Sequence, residues 1–189
     1  MLFDKYINIL KYTIMKFRFT ILFLASIFIV HTQELVQNSA TVKFKIKNMG
    51  FNVDGQFKKV AITSNFDADN LEHSFINGII QVNAIDTDNK KRDKHLLSDD
   101  YFEASTYHNI RLKSTKIVRT SANKYQLTGN LTIKKTTKQI VIPLVVAETN
   151  TAITIKSKFS IDRLDYNVGD SSWVMSDMVK LNITYTAKK

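Results

Sequence analysis

The chain has 189 residues, 44% hydrophobic and 23% charged, with 5 Gly and 1 Pro. That balance belongs to an ordinary globular domain and excludes global disorder, collagen-like repeats and low-complexity sequence. Without Cys there is no disulfide, no thiolate nucleophile, no Cys-ligated zinc or iron–sulfur centre, and no cysteine to carry an acyl anchor. The formal charge of +10 suits anionic headgroups, nucleic acid or simple solubility, and does not choose among them.

The chain opens with an address. Met15-Lys16-Phe17-Arg18 is a short basic stretch, Thr20 to Val30 is an uncharged apolar run, and His31-Thr32-Gln33 turns polar. This layout predicts a secretory signal peptide over residues 1–32, with translation starting at Met15 or Met1 adding an extension, and cleavage near Thr32. The competing reading is an uncleaved anchor, but the run falls short of the roughly 20 apolar residues a spanning helix needs. Residues 33–189 then form one domain carrying 23 basic and 16 acidic side chains, a net +7.

From residue 40 onward the dominant signal is period-2 alternation, which places apolar side chains on one face of a strand and polar ones on the other. Val42, Phe44 and Ile46 alternate with Lys43, Lys45 and Lys47. Ile80, Val82 and Ala84 alternate with Gln81 and Asn83, and Ile110 and Leu112 with Arg111 and Lys113. Leu127, Gly129, Leu131 and Ile133 share one face, as do Ile153, Ile155, Phe159 and Ile161, and then Val179, Leu181, Ile183 and Tyr185. Ile140 to Val146 is apolar on both faces, which predicts a strand covered outside as well as inside; its Pro143 predicts an edge, a bulge or a strand end. Turn signals fall at Asn48-Met49-Gly50, Asp54-Gly55, Asp67 to Asn70, Asn77-Gly78, Thr120 to Lys124 and Thr149-Asn150. The charged stretch Thr87 to Tyr107 interrupts the strands once. Leu96, Leu97, Tyr101 and Phe102 give it a short helical stripe, with Asp86 or Thr87 as the expected cap. So many strands with such spacers predict an all-β sandwich or barrel.

Several motifs carry a family resemblance. Ile85-Asp86-Thr87, a polar spacer, Arg92-Asp93 and His95-Leu96 are followed by the acidic-aromatic step Ser98 to Glu103. Tyr107-His108-Asn109-Ile110-Arg111-Leu112-Lys113-Ser114, Thr128-Gly129-Asn130-Leu131-Thr132-Ile133, Thr137 to Pro143 and Ile161-Asp162-Arg163-Leu164-Asp165-Tyr166 follow in order. The collinear set, from about Ser39 to the C-terminus, resembles the YceI-like family. His108 stands where the family has Pro, Leu112 where it has Phe, and the region Gly169 to Trp173 varies among members.

The resemblance implies an extended, lipocalin-like antiparallel β-barrel of about eight strands with one short helical connection. It also implies export to the periplasm and a long-chain isoprenoid or fatty-acid-derived lipid held in the lumen, without catalysis or cofactor. In such a barrel the apolar faces turn inward. The expected lumen set is Val42, Phe44, Ile46, Phe57, Ile80, Val82, Ile110, Leu112, Leu131, Ile133, Ile142, Phe159, Ile161, Leu181 and Ile183. Arg92, His95, Tyr166 and Trp173 are the candidates for a headgroup at the mouth, although Tyr166 and Trp173 fit a core plug equally well.

Other functions are weaker. His95 and His108 with Asp99, Asp100 and Glu103 match no compact metal motif. Asp86, Arg92 and Asp93 lack a nucleophile at a recognisable elbow, which disfavours an enzyme. Secretion and the lack of a phosphate loop or helix-turn-helix disfavour nucleic acid. Outward Lys, Asn and Thr exclude an outer-membrane barrel. A transient contact with a membrane surface and a homodimer stay open. The main alternative is a secreted structural or interaction barrel with a filled core, tied to envelope stress.

Overall fold

The computed structural model describes residues 34–189; the expected signal peptide lies outside the described residues. Ten antiparallel strands form one curled sheet. They are β1 (Val36–Asn48), β2 (Phe51–Phe57), β3 (Val60–Ser64), β4 (Ile76–Gln81), β5 (Ile85–Asp86), β6 (Asn109–Ser121), β7 (Lys124–Ile133), β8 (Thr136–Glu148), β9 (Ala152–Asp162) and β10 (Met178–Lys188). Their order is β3-β4-β6-β7-β8-β9-β10-β1-β2-β5. The all-β antiparallel class agrees with the alternation. The strand number exceeds the expected eight by two, and β3 and β5 are the shortest strands, of five and two residues.

The curled sheet closes on itself through a side chain. Leu35 N donates to Ser64 O at 2.7 Å, and beyond it the Gln37 amide bridges to β3, accepting from Ile62 N at 2.6 Å and donating to Val60 O at 3.2 Å. Gln37 thus supplies the donor and acceptor that a neighbouring strand's backbone would otherwise offer.

The lysine rows face water and the alternating apolar residues face in, as the pleat requires. Two buried clusters line the interior. One, around Leu127, Ile142, Ile153 and Tyr185, is capped by the loop after β3, whose Phe66 meets Tyr125 edge-on at 5.1 Å. The other, around Val42, Phe57, Ile85, Ile110 and Tyr166, lies toward the opposite end.

Four local expectations are corrected. Asp54-Gly55 and Asn77-Gly78 are not turns: they lie inside β2 and β4, paired with Lys45-Phe44 and with Lys113-Leu112. Long partner strands override the local turn preference there. Val82 does not continue β4, because Val82–Ala84 forms a 3₁₀ turn that buries its side chain away from the strand face. The helix α1 (Lys90–Leu96) is capped by Asn89, whose side chain accepts from Arg92 N, rather than by Asp86 or Thr87. Residues 97–107 are turns, tied by Phe102 N to Leu96 O and Glu103 N to Ser98 O. Finally, β8 is not covered outside: Val141 is 56% exposed and Val145 43%. Pro143 sits where the β8–β9 ladder has ended, since pairing runs only from Val145–Lys156 to Glu148–Ile153. Ser157 Oγ donates to Pro143 O at 2.6 Å beyond that point.

Candidate functional site

Residues of both clusters surround a hollow. A cavity of about 300 Å³ opens inside the curled sheet, at the lower end of the range typical of ligand pockets. Of the expected lumen residues, Val42, Phe44, Ile46, Phe57, Ile80, Ile110, Leu112, Leu131, Ile133, Ile142, Phe159, Ile161, Leu181 and Ile183 line it. Val82 does not; it is buried behind the wall. The wall also includes Ile155 and Tyr185, which share the inward apolar faces, and side chains that sequence reasoning missed, among them Val53, Val60 and Ile62 from β2 and β3 and Val168 from the loop after β9.

An aromatic run stiffens one side. Phe44 meets Phe57 with ring centroids 5.6 Å apart, and Phe57 meets Phe102 edge-on at 6.2 Å. Gly55 makes this packing fit. A Cβ there would lie 2.2 Å from Phe44 Cζ, so the ring occupies the space a side chain would need.

Two arginines, Arg92 and Arg163, and the polar His95 are on the cavity wall, and they gather at the end covered by α1 and the loop after β9. Arg92 Nε donates to Thr87 Oγ1 at 2.8 Å and Nη2 to Thr87 O at 2.6 Å. Thr87 N and Oγ1 in turn donate to Asp93 Oδ1, at 2.9 and 2.6 Å. Among the described residues no carboxylate forms an ion pair with Arg92, so its charge stays available to the cavity. His95 packs against Tyr101 with centroids 4.9 Å apart.

Arg163 is only 4% exposed and is fully engaged. Its Nη1 donates to Val168 O at 3.0 Å, its Nε to Ser176 O at 3.2 Å, and its Nη2 meets Asp177 Oδ1 at 2.9 Å. One buried guanidinium therefore pins both ends of the 163–177 loop, satisfying carbonyls that would otherwise be orphaned. Gly169, in the left-handed region at φ +67°, lets that loop pass: a Cβ would lie 2.7 Å from the Tyr101 ring and 3.1 Å from Arg163 Nη1. Arg163 was visible in the sequence only as part of a motif, because its partners lie up to 14 residues away.

Two expected mouth residues stand elsewhere. Tyr166 is a buried plug, packed behind the cavity and not on its wall. Trp173 is fully exposed and touches neither core nor cavity wall. Tyr166 and Tyr185 both bury a hydroxyl with no hydrogen-bond partner among the described residues. Burial pushes both phenols above their ordinary value, with smaller pushes from Asp165 on Tyr166 and Glu34 on Tyr185. Asp86 is structural. Its hydrogen bond to Lys58, 2.7 Å away, and the Asp88 amide hold its carboxyl below the usual range, while the same contact raises Lys58. His108 Nδ1 bonds to Ala104 O, and among the described residues no cluster of three His, Asp or Glu could hold a metal.

Comparison with known proteins gives a consistent answer. Curated UPF0312 proteins of Vibrio parahaemolyticus and Photorhabdus laumondii are 33% and 34% identical over 104 residues, 54% of this chain. Those matches span about half the length of each relative, 55% and 54%. Among solved structures, Burkholderia cenocepacia BcnA superimposes with a TM-score of 0.75 at 28% identity, over 78% of this chain and 96% of that one. A Campylobacter jejuni YceI protein gives 0.68 at 29% identity, over 74% and 86%. A polyisoprenoid-binding domain from Saccharophagus degradans shares the fold, with a TM-score of 0.63 at 16% identity, over 82% and 97%. The YceI-like domain model matches residues 34–187, essentially every described residue, and the chain belongs to the YceI-like family.

Proposed function

We propose that this protein is a non-catalytic carrier or store for a long-chain lipid, of polyisoprenoid or fatty-acid type, and that it works in the periplasm after export on a cleaved leader. The observation that carries the reading is the division of the cavity. Its wall is apolar along the strands, and its polar groups, Arg92, His95 and Arg163, gather at one end. A hydrocarbon chain gains about 0.8 kcal/mol per buried CH₂, so the apolar wall supplies affinity without special contacts. Discrimination between chain lengths is then weak, and choice falls to the polar end. Arg92, held in place by Thr87 yet without a carboxylate partner, fits a phosphate, carboxylate or hydroxyl headgroup. Arg163 already has its partners and serves to shape the mouth. The polyisoprenoid-binding description of the Saccharophagus domain, and the apolar run before residue 33, support the same reading.

Native mass spectrometry of the protein purified from its host, followed by organic extraction and lipid analysis, tests it. A stoichiometric long-chain lipid is expected, with the Arg92→Met variant retaining less of any lipid that carries an anionic head. A clean apo mass that takes up no added polyisoprenoid would refute the carrier reading and favour the filled interaction barrel.

A further inference from the structure

The rim of the cavity carries an apolar tip that the fold does not use. The β1–β2 hairpin turns through Met49 and Gly50, both with positive φ as a tight two-residue hairpin turn requires. The 172–178 segment is tied beside it: Met49 N donates to Val174 O at 2.7 Å, Ser176 N to Lys47 O at 2.9 Å, and Asn48 bridges Met175. This brings together Met49, Phe51, Trp173 and Val174, exposed by 70%, 77%, 105% and 56%. Single exposed apolar residues are ordinary, but four on one tip mark an interaction surface. The tip is continuous with the cavity, because Asn48 and Met175 belong to both.

Chemistry selects the partner. Trp, Phe and Met with Lys beside them are the composition that settles at a lipid–water interface. Lys43 and Lys47 stand exposed on β1, and Lys180 on β10 lies opposite Lys45. Of the nearby acids, Asp54 is held by Lys45 at 3.2 Å and Asp177 by Arg163 at 2.9 Å, leaving Asp162, which accepts from Leu164 N, and Asp170 against the lysines. The residues from 33 onward carry a net +7. We infer that the Met49–Phe51–Trp173–Val174 tip docks reversibly on an anionic bilayer and seats the cavity mouth at the acyl boundary. Its use in lipid exchange rests on the carrier reading above; the docking itself does not.

Trp173 is the sole tryptophan, so its emission reports this tip alone. The full chain is titrated with vesicles of phosphatidylglycerol and phosphatidylethanolamine, free of polyisoprenoid, with brominated acyl chains as quenchers. The run at 20–30 can itself attach the chain to vesicles, so the measurement is taken at Trp173 rather than by sedimentation. Emission should shift to the blue and be quenched, more so than with phosphatidylcholine. Phe51→Ser and Val174→Ser, both at exposed positions, should each weaken the effect about tenfold without moving the unfolding midpoint. A Trp173 that stays water-like and unquenched at saturating vesicles overturns the inference. So does quenching that both variants leave unchanged. A blue shift that appears without vesicles and grows with protein concentration would assign the tip to a second copy of this chain instead. None of these outcomes depends on whether the cavity is loaded, which native mass spectrometry reads separately.

Discussion

Gly55→Ala should destabilise the protein, and the same substitution should stabilise it once Phe44 is removed. The alanine Cβ would sit 2.2 Å from Phe44 Cζ and 2.7 and 2.8 Å from the two Cε atoms. Carbon–carbon contact needs about 3.5 Å, so the ring must retreat by more than about 1 Å. Its way is hindered by Phe57, whose centroid lies 5.6 Å away, and it can move only into the cavity. Overpacking of this kind costs about 1–3 kcal/mol. Against it, replacing glycine within a strand recovers about 0.5–1 kcal/mol of chain entropy. The net effect is a loss of about 1–2 kcal/mol in the native background and a gain of about 0.5–1 kcal/mol in Phe44→Ala. Equilibrium urea unfolding of the four proteins of the cycle measures the coupling, expected at about 2 kcal/mol, with the slope of each transition checking that the unfolded state is unchanged. The same sign in both backgrounds, or a coupling below about 0.5 kcal/mol, would refute the idea that Gly55 is kept small to seat the Phe44 ring.

Tyr185→Phe removes a buried hydroxyl without a partner and should raise stability by about 1–2 kcal/mol, read as a higher melting temperature. Because burial raises this phenol above its unfolded value of about 10, its contribution is intact below that pH and lost as pH climbs through the folded value. The native protein should therefore weaken above pH ~10 more steeply than Tyr185→Phe, and equal slopes would contradict the burial argument. Arg163→Met keeps the stem but strips the donors from Val168 O and Ser176 O, and should cost about 2–3 kcal/mol. Asp177→Asn, at the half-exposed end of the same pair, should cost less than about 1 kcal/mol. Urea midpoints showing equal losses for the two variants would remove Arg163 from its anchoring role.

How much of this was legible before the fold was known depends on the range of the interaction. Val42, Phe44 and Ile46 announce a strand with a wet and a dry face, and the pleat then dictates that they face the interior. Fourteen lumen residues could be named because alternation is a local property. Asp54-Gly55 and Asn77-Gly78 misled for the opposite reason. Their turn character is local, but the ladders with β1 and β6 and the Phe44 ring decide their conformation, and those partners lie 9 to 36 residues away. Val82 kept its burial but lost its place on the wall, because a 3₁₀ turn breaks the period of two. Nothing in the spacing of Arg163, Val168, Ser176 and Asp177 marks them as one hydrogen-bonded set. Trp173 likewise gave no sign of whether it would plug the barrel or stand clear of it, and its neighbours at the tip come from the far end of β1.

The two ends of the barrel divide the work of stability and of capacity. A cavity of about 300 Å³ leaves its apolar lining without the contacts that a filled core would give it. A barrel can bear that only if its packing is concentrated elsewhere. Here it is: Ile153 and Ala187 are without exposure, and the loop after β3 closes the floor with the Phe66–Tyr125 contact and Arg119 stacked 5.3 Å over Tyr125. At the mouth, stiffness comes instead from polar knots, Thr87 with Arg92 and Asp93, and Arg163 with its two carbonyls and Asp177. These hold the wall open without filling it, which apolar side chains at the same positions would not do. Whatever apolar molecule enters restores contacts the lining lacks, so occupancy and stability are thermodynamically linked. The sequence cannot close the hollow by collapse either, because the aromatic run Phe44–Phe57–Phe102 braces one side and every strand beneath it is fixed in register by its neighbours.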